Sequence, residues 1–352
     1  MAPERRNTFP LKFKAPKVDS LQELSTSLTT FKVMRFNVSY GRILPLFDVD
    51  VDMAALTALV QYYDPPLRCL TFQDFQLAQT IEEYERILNH YVKDHDPFVK
   101  LGEKIDPKEI AEALYLEEDE VTPYLKPRGE VKGFTRKFLE NKARDLEKAE
   151  NWEAFSAVLA LLIYGIVLFP NEEDFVDLPV VGVFLAKTAV PTLLADVYYH
   201  LNVRHEKKKG IVLCCAPLLY IWLREHMPRQ GEWIEILNNL KWSQKLASLT
   251  ANAMFWYTHD WAVDSLIHHC GNFPNVPLIG SRGCINYNPE LALRQHEYSM
   301  KKEPETGLLK EFIITDMGAS DPSMLKRVKR AWSRIHRKGK EFGKRTLMVE
   351  EP

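Results

Sequence analysis

The sequence has few cysteines and no recognisable secretory leader. Its five cysteines are scattered over 352 residues and form no C-x-x-C pair, so neither a disulfide framework nor a structural zinc site is indicated. The first residues, MAPERRNTFPLKFK, are basic and contain no apolar core, which is unlike a signal peptide. These absences predict an intracellular protein with reduced thiols.

Long hydrophobic runs are also scarce. Residues 154–171, AFSAVLALLIYGIVLFPN, carry no charge, but a membrane-spanning helix needs about 20 apolar residues and Pro170 and Asn171 shorten this run. Acidic residues flank both of its ends, whereas lysine and arginine orient membrane spans. We therefore predict a buried central helix and no membrane span.

Signatures of nucleotide and acyl-transfer chemistry are missing. The sequence contains no G-x-x-x-x-G-K-[ST], no G-x-S-x-G and no G-x-G-x-x-G after a strand. The adjacent Cys214 and Cys215 lie in an apolar segment, where a thiol is inert because burial raises its pKa. We predict no cofactor.

Helical periodicity dominates the chain. Thr80 with Glu83 forms a capping box, and Asp106 before Pro107 is a second helix start. Further helices are predicted at 134–149, 152–169, 190–203, 212–227, 232–239 and 241–256, strands at 30–38, 69–72 and 311–315, and loops at 126–133 and 273–288. This pattern predicts a mainly α protein with a single large helical domain, a few short strands and a basic C-terminal helix. The predicted parts are a disordered basic N-terminus at 1–27, a helical body at 28–315, and a basic amphipathic helix and tail at 316–352.

The segment HDWAVDSLIHHC (259–270) concentrates metal-ligating residue types. On a helix, Asp260, Asp264 and His268 would share one face but climb about 6 Å per step, so the three could not meet at one ion. Val263 and Ile267 form an apolar stripe on the same segment, which favours a structural helix. The alternative is a metal-dependent hydrolase or nuclease that uses these three residues with distant carboxylates.

Residues 108–125, KEIAEALYLEEDEVTPYL, have the spacing of a helix-turn-helix. Four consecutive acidic residues, 117–120, would face the DNA backbone, where a reading helix needs basic or amide side chains. We therefore expect a solvated helical hairpin here.

The strongest local signal is the cationic segment 326–345, which has ten lysines and arginines and one glutamate. Its net charge is +9, so the rest of the chain carries −11. Asp321 and Pro322 start a predicted helix that Gly339 can end. An apolar seam of Leu325, Val328, Trp332 and Ile335 runs along it.

The seam leaves two possibilities open. It could dock on the acidic body, or the helix could contact a partner protein, an anionic membrane or a nucleic acid. Basic clusters of this kind also resemble nuclear import signals. The candidate binding residues are Lys326, Arg327, Lys329, Arg330, Trp332, Arg334, Arg337 and Lys338.

Several segments resemble the plant mobile domain. WEAFSAVLALLIYGIVLFPNEEDFVDL (152–178) contains the family's Gly-x-x-Leu-Phe-Pro, and CLTFQDFQLAQTIEEYERIL (69–88) and NPELALRQHEYSM (288–300) are similar to its early and late segments. A legume-rich branch of unknown function is closer still, in GCINYNPELALRQ and KRVKRAWSRIHRKG.

The resemblance implies an α-rich domain of plant transposable elements and of nuclear host proteins derived from them. An aminotransferase-like label sometimes given to the family finds no support, because no Schiff-base lysine or phosphate cup is visible. We therefore expect a non-enzymatic domain that binds protein or nucleic acid through its C-terminal helix. A self-associating scaffold is a further possibility, and the oligomeric state stays open.

Overall fold

The computed structural model describes residues 8–92, 97–228, 240–256, 263–299, 304–307, 309–310, 312–315 and 321–343. Of the described residues, 49% are helical and 14% lie in strands, which form five small sheets. It is thus a helix-rich mixed α/β protein, and our prediction of a mainly α, single helical domain is wrong. Most of the strands that were not predicted pair with a neighbour in a hairpin or with a distant segment. The hydrophobic periodicity of a helix carries no information about such pairing.

The helices of the described residues are mostly short. They are α1 (Asp19–Ser25), α2 (Thr30–Tyr40), α3 (Met53–Leu59), α4 (Ile81–Leu88), α5 (Pro107–Leu114), α6 (Arg136–Lys148), α7 (Trp152–Ile163), α8 (Leu178–Leu185), α9 (Val190–Lys207), α10 (Ala216–His226), α11 (Trp242–Ala247) and α12 (Pro322–Trp332). Turns of 3-10 helix lie at Leu44–Asp48, Val60–Tyr62, Glu118–Glu120, Thr122–Tyr124, Pro289–His296 and Lys340–Phe342.

The strands are also short. They are β1 (Leu11–Phe13), β2 (Tyr63–Asp64), β3 (Cys69–Thr71), β4 (Gln76–Leu77), β5 (Lys126–Arg128), β6 (Val131–Thr135), β7 (Phe175–Asp177), β8 (Gly210–Val212), β9 (Leu266–Cys270), β10 (Val276–Ile279), β11 (Cys284–Tyr287), β12 (Ile313–Ile314) and β13 (Ile335–Lys338). Strands β1 and β8 pair in parallel, whereas β2-β3-β4, β5-β6-β7, β10-β11-β12 and β9-β13 form antiparallel sheets.

Helix α7 lies at the centre of the core, as predicted for 154–171. Every residue from Ala157 to Ile163 is buried, and the helix packs against α6, α1, α5 and α2. It ends in a π-helical turn, Tyr164–Leu168. There the missing side chain of Gly165 admits Val176, whose Cγ2 lies 2.3 Å from where a Cβ would stand. Within the described ranges, no helix combines the length and the apolar composition that crossing a bilayer requires.

Local start signals identified several helices correctly. Thr80 and Glu83 form the capping box of α4, and the Asp106 side chain accepts a hydrogen bond from the Lys108 backbone N–H at the start of α5. After α5 the chain forms two 3-10 turns, Glu118–Glu120 and Thr122–Tyr124. The expected helical hairpin is therefore only half present.

Other local predictions were wrong. The predicted strand at 30–38 is helix α2, and both predicted loops, 126–133 and 273–288, contain antiparallel hairpins. Residues 8–27, expected to be disordered, include β1 and α1. Only residues 242–247 of the helix predicted at 241–256 are α-helical, and the helix predicted at 232–239 lies outside the described residues.

Candidate nucleic-acid interface

The start of the cationic segment follows directly from its sequence. The Asp321 carboxylate accepts a hydrogen bond from the Met324 backbone N–H at 2.9 Å, and Pro322 occupies the first turn of α12. A proline costs no hydrogen bond at this position, because the first N–H groups of a helix have no partner within it. The helix ends at Trp332 rather than at Gly339, and the chain continues as strand β13.

The apolar seam of α12 is used inside the molecule. Leu325, Val328 and Trp332 are buried, and Trp332 is only 3% exposed. Its indole N–H donates to the carbonyl oxygen of Pro277 at 2.6 Å, and its ring meets Phe98 edge-on at 5.1 Å. Trp332, which we had proposed as a binding residue, therefore fixes the helix to the body and offers no surface to a partner.

Strand β13 adds a second attachment. It pairs with β9 in an antiparallel ladder in which His336 lies opposite His269, and the register shifts after this pair. Gly339 then passes so close to the body that an added Cβ would lie 2.0 Å from the carbonyl oxygen of Asp264. The predicted body and tail are therefore in direct contact.

Part of the cationic charge is partnered by the body. Lys329 Nζ bonds Glu103 Oε1 at 2.7 Å and the carbonyl oxygen of Val99 at 3.1 Å. The Arg327 guanidinium lies over the Phe273 ring, 4.7 Å from its centroid. Lys338 Nζ lies 4.5 Å from the centroid of the Phe342 ring, so these cations are partly held against the molecule.

The remaining cations face solvent. Lys326, Arg330, Arg334, Arg337 and Lys340 are exposed, and none of them has an ion pair with a carboxylate of the described residues. Lys326 and Arg330 are separated by one turn of α12, a rise of about 6 Å, whereas Arg334 follows the helix and Arg337 lies on β13. The segment thus presents a cationic surface, defined by these five residues, on a scaffold fixed by its apolar seam. Of the five, Arg337 lies close enough to the buried Glu82 and Glu85 for its charge to oppose the rise in their pKa that burial causes.

The three residues predicted for the alternative metal or hydrolase site lie in a segment of which only part belongs to the described residues. Asp260 lies outside the described residues, Asp264 is exposed, and residues 266–270 form strand β9, so the helix predicted there is wrong. His268 Nε2 bonds Glu290 Oε1 at 2.9 Å, a partner that sequence spacing did not reveal. Within the described ranges, no three histidine, cysteine, aspartate or glutamate residues are grouped to hold a metal.

Sequence reasoning also missed a buried polar network around Glu83. Its carboxylate accepts hydrogen bonds from His226 Nε2 and Gln295 Nε2 at 2.8 Å and from the indole N–H of Trp222 at 3.0 Å. Burial alone would raise the pKa of Glu83, but the hydrogen bond and charge of His226, helped by its other partners, lower it to about 2. Since all of these groups are buried, the network joins α4, α10 and the 3-10 turn Pro289–His296.

Gln295 links two of the segments that carry the family resemblance. Its side chain accepts from the Ala78 backbone N–H at 2.9 Å and donates to the Ala78 carbonyl at 2.8 Å. The early segment, 69–88, and the late segment, 288–300, therefore meet in the core.

The chain is thus a helix-rich α/β protein whose C-terminal cationic segment is docked on its body. Residues 21–352 match the family named Domain of unknown function (DUF7745), and because the match covers nearly the whole chain, the protein belongs to that family. No curated protein and no solved structure matches it significantly.

Proposed function

We propose that this protein binds nucleic acid through the cationic surface of Lys326, Arg330, Arg334, Arg337 and Lys340. The observation that carries the proposal is the division of α12 into two faces. Its apolar face is buried in the body, while Lys326 and Arg330 on the helix are exposed and have no ion pair with a carboxylate of the described residues. The other three cations follow the end of the helix and are exposed as well. Exposed cations without carboxylate partners are what a polyanion requires, since each phosphate contact releases a condensed counterion.

The same division disfavours the two other partners considered for this segment. A partner helix or a membrane surface would need the apolar seam, and the seam packs against Phe98 and Pro277 instead. Phosphates need only charge and hydrogen-bond donors, and an arginine can contact a phosphate through two of its N–H groups. The contacts we propose are mostly to the backbone, so we expect little sequence preference.

The biological setting of the proposal comes from the resemblance to the plant mobile domain. We propose a non-enzymatic, transposon-derived protein that acts in the nucleus. The similarity of residues 152–178 and 288–300 supports this setting, and the basic cluster 326–330 is compatible with nuclear import. A fluorescent fusion tests it: we expect nuclear accumulation of the intact chain, and exclusion from the nucleus would contradict the proposal.

Binding is tested with the triple variant Lys326→Gln/Arg330→Gln/Arg334→Gln. The three side chains are exposed, so the fold should persist. The matched control is Lys132→Gln/Lys137→Gln/Lys207→Gln, which removes the same charge from exposed positions outside the cationic surface. Fluorescence anisotropy with a labelled duplex DNA and a labelled single-stranded RNA, at low salt, measures the affinity of each protein.

We expect the triple variant to bind at least one probe about tenfold or more weakly than the wild type, a difference of about 1.4 kcal/mol. The control should lose much less, because none of its charges belongs to the cationic surface. Equal losses in the two variants would show that only net charge matters. Absence of binding by the wild type would remove the proposal altogether.

A further inference from the structure

Helix α2 carries a row of hydrophobic residues on its solvent side. Phe31, Met34 and Val38 are 67%, 62% and 84% exposed. Their spacing of three and four residues places them along one side of the helix, over a rise of about 10 Å. Phe36, the buried residue of α2, lies on the opposite side, because it is two residues away from both Met34 and Val38. The helix therefore has one apolar side in the core and a second one, the exposed stripe, facing solvent.

The exposed stripe does not stabilise the helix on its own. Phenylalanine and valine are weaker helix formers than alanine, leucine or lysine, so Phe31 and Val38 do not favour α2 intrinsically. A single exposed hydrophobic residue is ordinary, but these three form one patch on the order of 400 Å². Patches of this size on a monomer are often functional. The stripe is therefore a contact surface that the monomer itself does not explain.

The residues beside the stripe are polar, aromatic and of both signs of charge. The side chains of Arg35 and Glu153 are 64% and 61% exposed and form an ion pair of 2.9 Å. Tyr115, itself 59% exposed, lines the same shallow pocket as these two residues. An apolar centre with a polar rim and an exposed aromatic residue is typical of protein–protein interfaces.

We propose that the exposed stripe binds a second copy of this chain, with the two α2 helices antiparallel about a twofold axis beside Met34. In that arrangement Phe31 of each copy packs against Val38 of the other, so that a large side chain meets a small one. Met34 meets its own counterpart beside the axis, where a flexible, uncharged side chain fits and a charge would repel itself.

The charges beside the stripe are compatible with two identical surfaces in contact. Arg35 is the next residue after Met34, so it approaches its own counterpart near the axis. Glu153 is paired with Arg35 in each copy, and its carboxylate offsets the repulsion between the two guanidinium groups. A surface that binds itself needs both signs of charge in this way.

The size of the stripe sets the expected strength of the dimer. Specific interfaces bury about 800 Å² per partner, and the stripe supplies on the order of 400 Å² of this area. The rest must come from the rim that Arg35, Glu153 and Tyr115 begin. We therefore expect a reversible dimer of micromolar affinity. This inference does not depend on nucleic-acid binding, and it holds or fails without it.

The test measures the mass of the intact chain in solution. Sedimentation velocity at concentrations up to roughly 100 μM detects dimers of micromolar affinity. Met34→Lys and Met34→Glu each place a charge beside the proposed axis, and the fold should persist because Met34 is exposed. Ile211→Lys is the matched control, since it places the same charge on another exposed hydrophobic residue, which lies on β8. Thermal unfolding confirms that each variant is folded.

We expect the wild type and Ile211→Lys to form a dimer as their concentration rises. Met34→Lys alone and Met34→Glu alone should dimerise about tenfold or more weakly, because like charges meet across the interface. An equimolar mixture of these two variants should dimerise again, since a lysine of one copy then meets a glutamate of the other. This recovery is the specific signature of a twofold axis beside Met34.

Four results would overturn the inference. A wild type that stays monomeric over this range leaves the exposed stripe to a different protein. Undiminished dimers of both Met34 variants would place the interface elsewhere on the molecule. An equal loss in Ile211→Lys would show that any added charge separates the copies. A mixture of the two Met34 variants that stays monomeric would exclude the twofold arrangement.

Discussion

Replacing Trp332 tests whether the cationic segment is anchored by its apolar seam. The side chain is buried and combines edge-on packing on Phe98 with a 2.6 Å hydrogen bond to Pro277. Truncating a buried tryptophan to alanine costs about 3–5 kcal/mol. Trp332→Phe keeps an aromatic ring but loses the hydrogen bond, so it should cost about 1–3 kcal/mol.

Chemical denaturation measures the free energy of unfolding of each Trp332 variant. Limited proteolysis shows which part of the chain is loosened. We expect Trp332→Ala to expose cleavage sites within 321–343 before the rest of the chain is cut, because α12 and β13 lose their anchor. Trp332→Phe should retain nucleic-acid binding near the wild-type level, since the indole is hidden from a partner. A cost below about 1 kcal/mol for Trp332→Ala would refute the anchoring role, as would loss of binding in a stably folded Trp332→Phe.

Three further predictions concern the core and the end of β13. Gly339→Ala should lower the free energy of unfolding by about 1–3 kcal/mol, because its Cβ would meet the Asp264 carbonyl, whereas Gly307→Ala, which meets nothing within 4 Å, should be nearly neutral by the same denaturation assay. Glu83→Gln should cost about 1–3 kcal/mol at neutral pH, since it removes a buried carboxylate that accepts hydrogen bonds from three side chains; a cost within experimental error would contradict the network. Burial raises the pKa of Asp196 to about 7, so folding binds a proton there and its stabilising effect is lost as pH rises through 7. Between about pH 4 and 7, stability of the wild type should therefore fall relative to Asp196→Asn, and parallel pH profiles of the two proteins would exclude this role.

Helix starts could be predicted because their signals are local. The capping box of Thr80 and Glu83 and the Asp-Pro steps at 106–107 and 321–322 specify backbone hydrogen bonds within a few residues. Each of these starts lies where we predicted it. Their reliability comes from chemistry that needs no distant partner.

Strand pairing is decided by contacts between distant segments. Val263 and Ile267 suggested a helical stripe, yet 266–270 pairs with a strand more than sixty residues later in the chain. Nothing within 259–270 specifies that partner. For the same reason, the helix predicted to end at Gly339 ends at Trp332 instead, and residues 335–338 pair with β9.

Helix α2 shows a different failure. The β-branched and aromatic residues of 30–38 suggested a strand, but in the helix only Phe36 is fully buried. Phe31, Met34 and Val38 are 67%, 62% and 84% exposed. When hydrophobic residues are exposed, as they are here, their pattern along the chain does not show which secondary structure they form.

The candidate site was partly visible in the composition. A run of ten cations in twenty residues identified the segment, and Asp321 identified the start of its helix. Composition did not show that Lys329 pairs with Glu103 or that Trp332 is buried. Nor could it bring His269 and His336 together, because their contact depends on a ladder that the sequence pattern does not encode.

The salt dependence of duplex-DNA binding tests the central claim most directly. Each phosphate neutralised contributes about −0.9 to the slope of log affinity against log salt concentration. If Lys326, Arg330 and Arg334 each contact a phosphate, changing all three to glutamine should make the slope shallower by about 2.7. The same slope for the triple variant and the wild type would show that this cationic surface does not bind the nucleic acid.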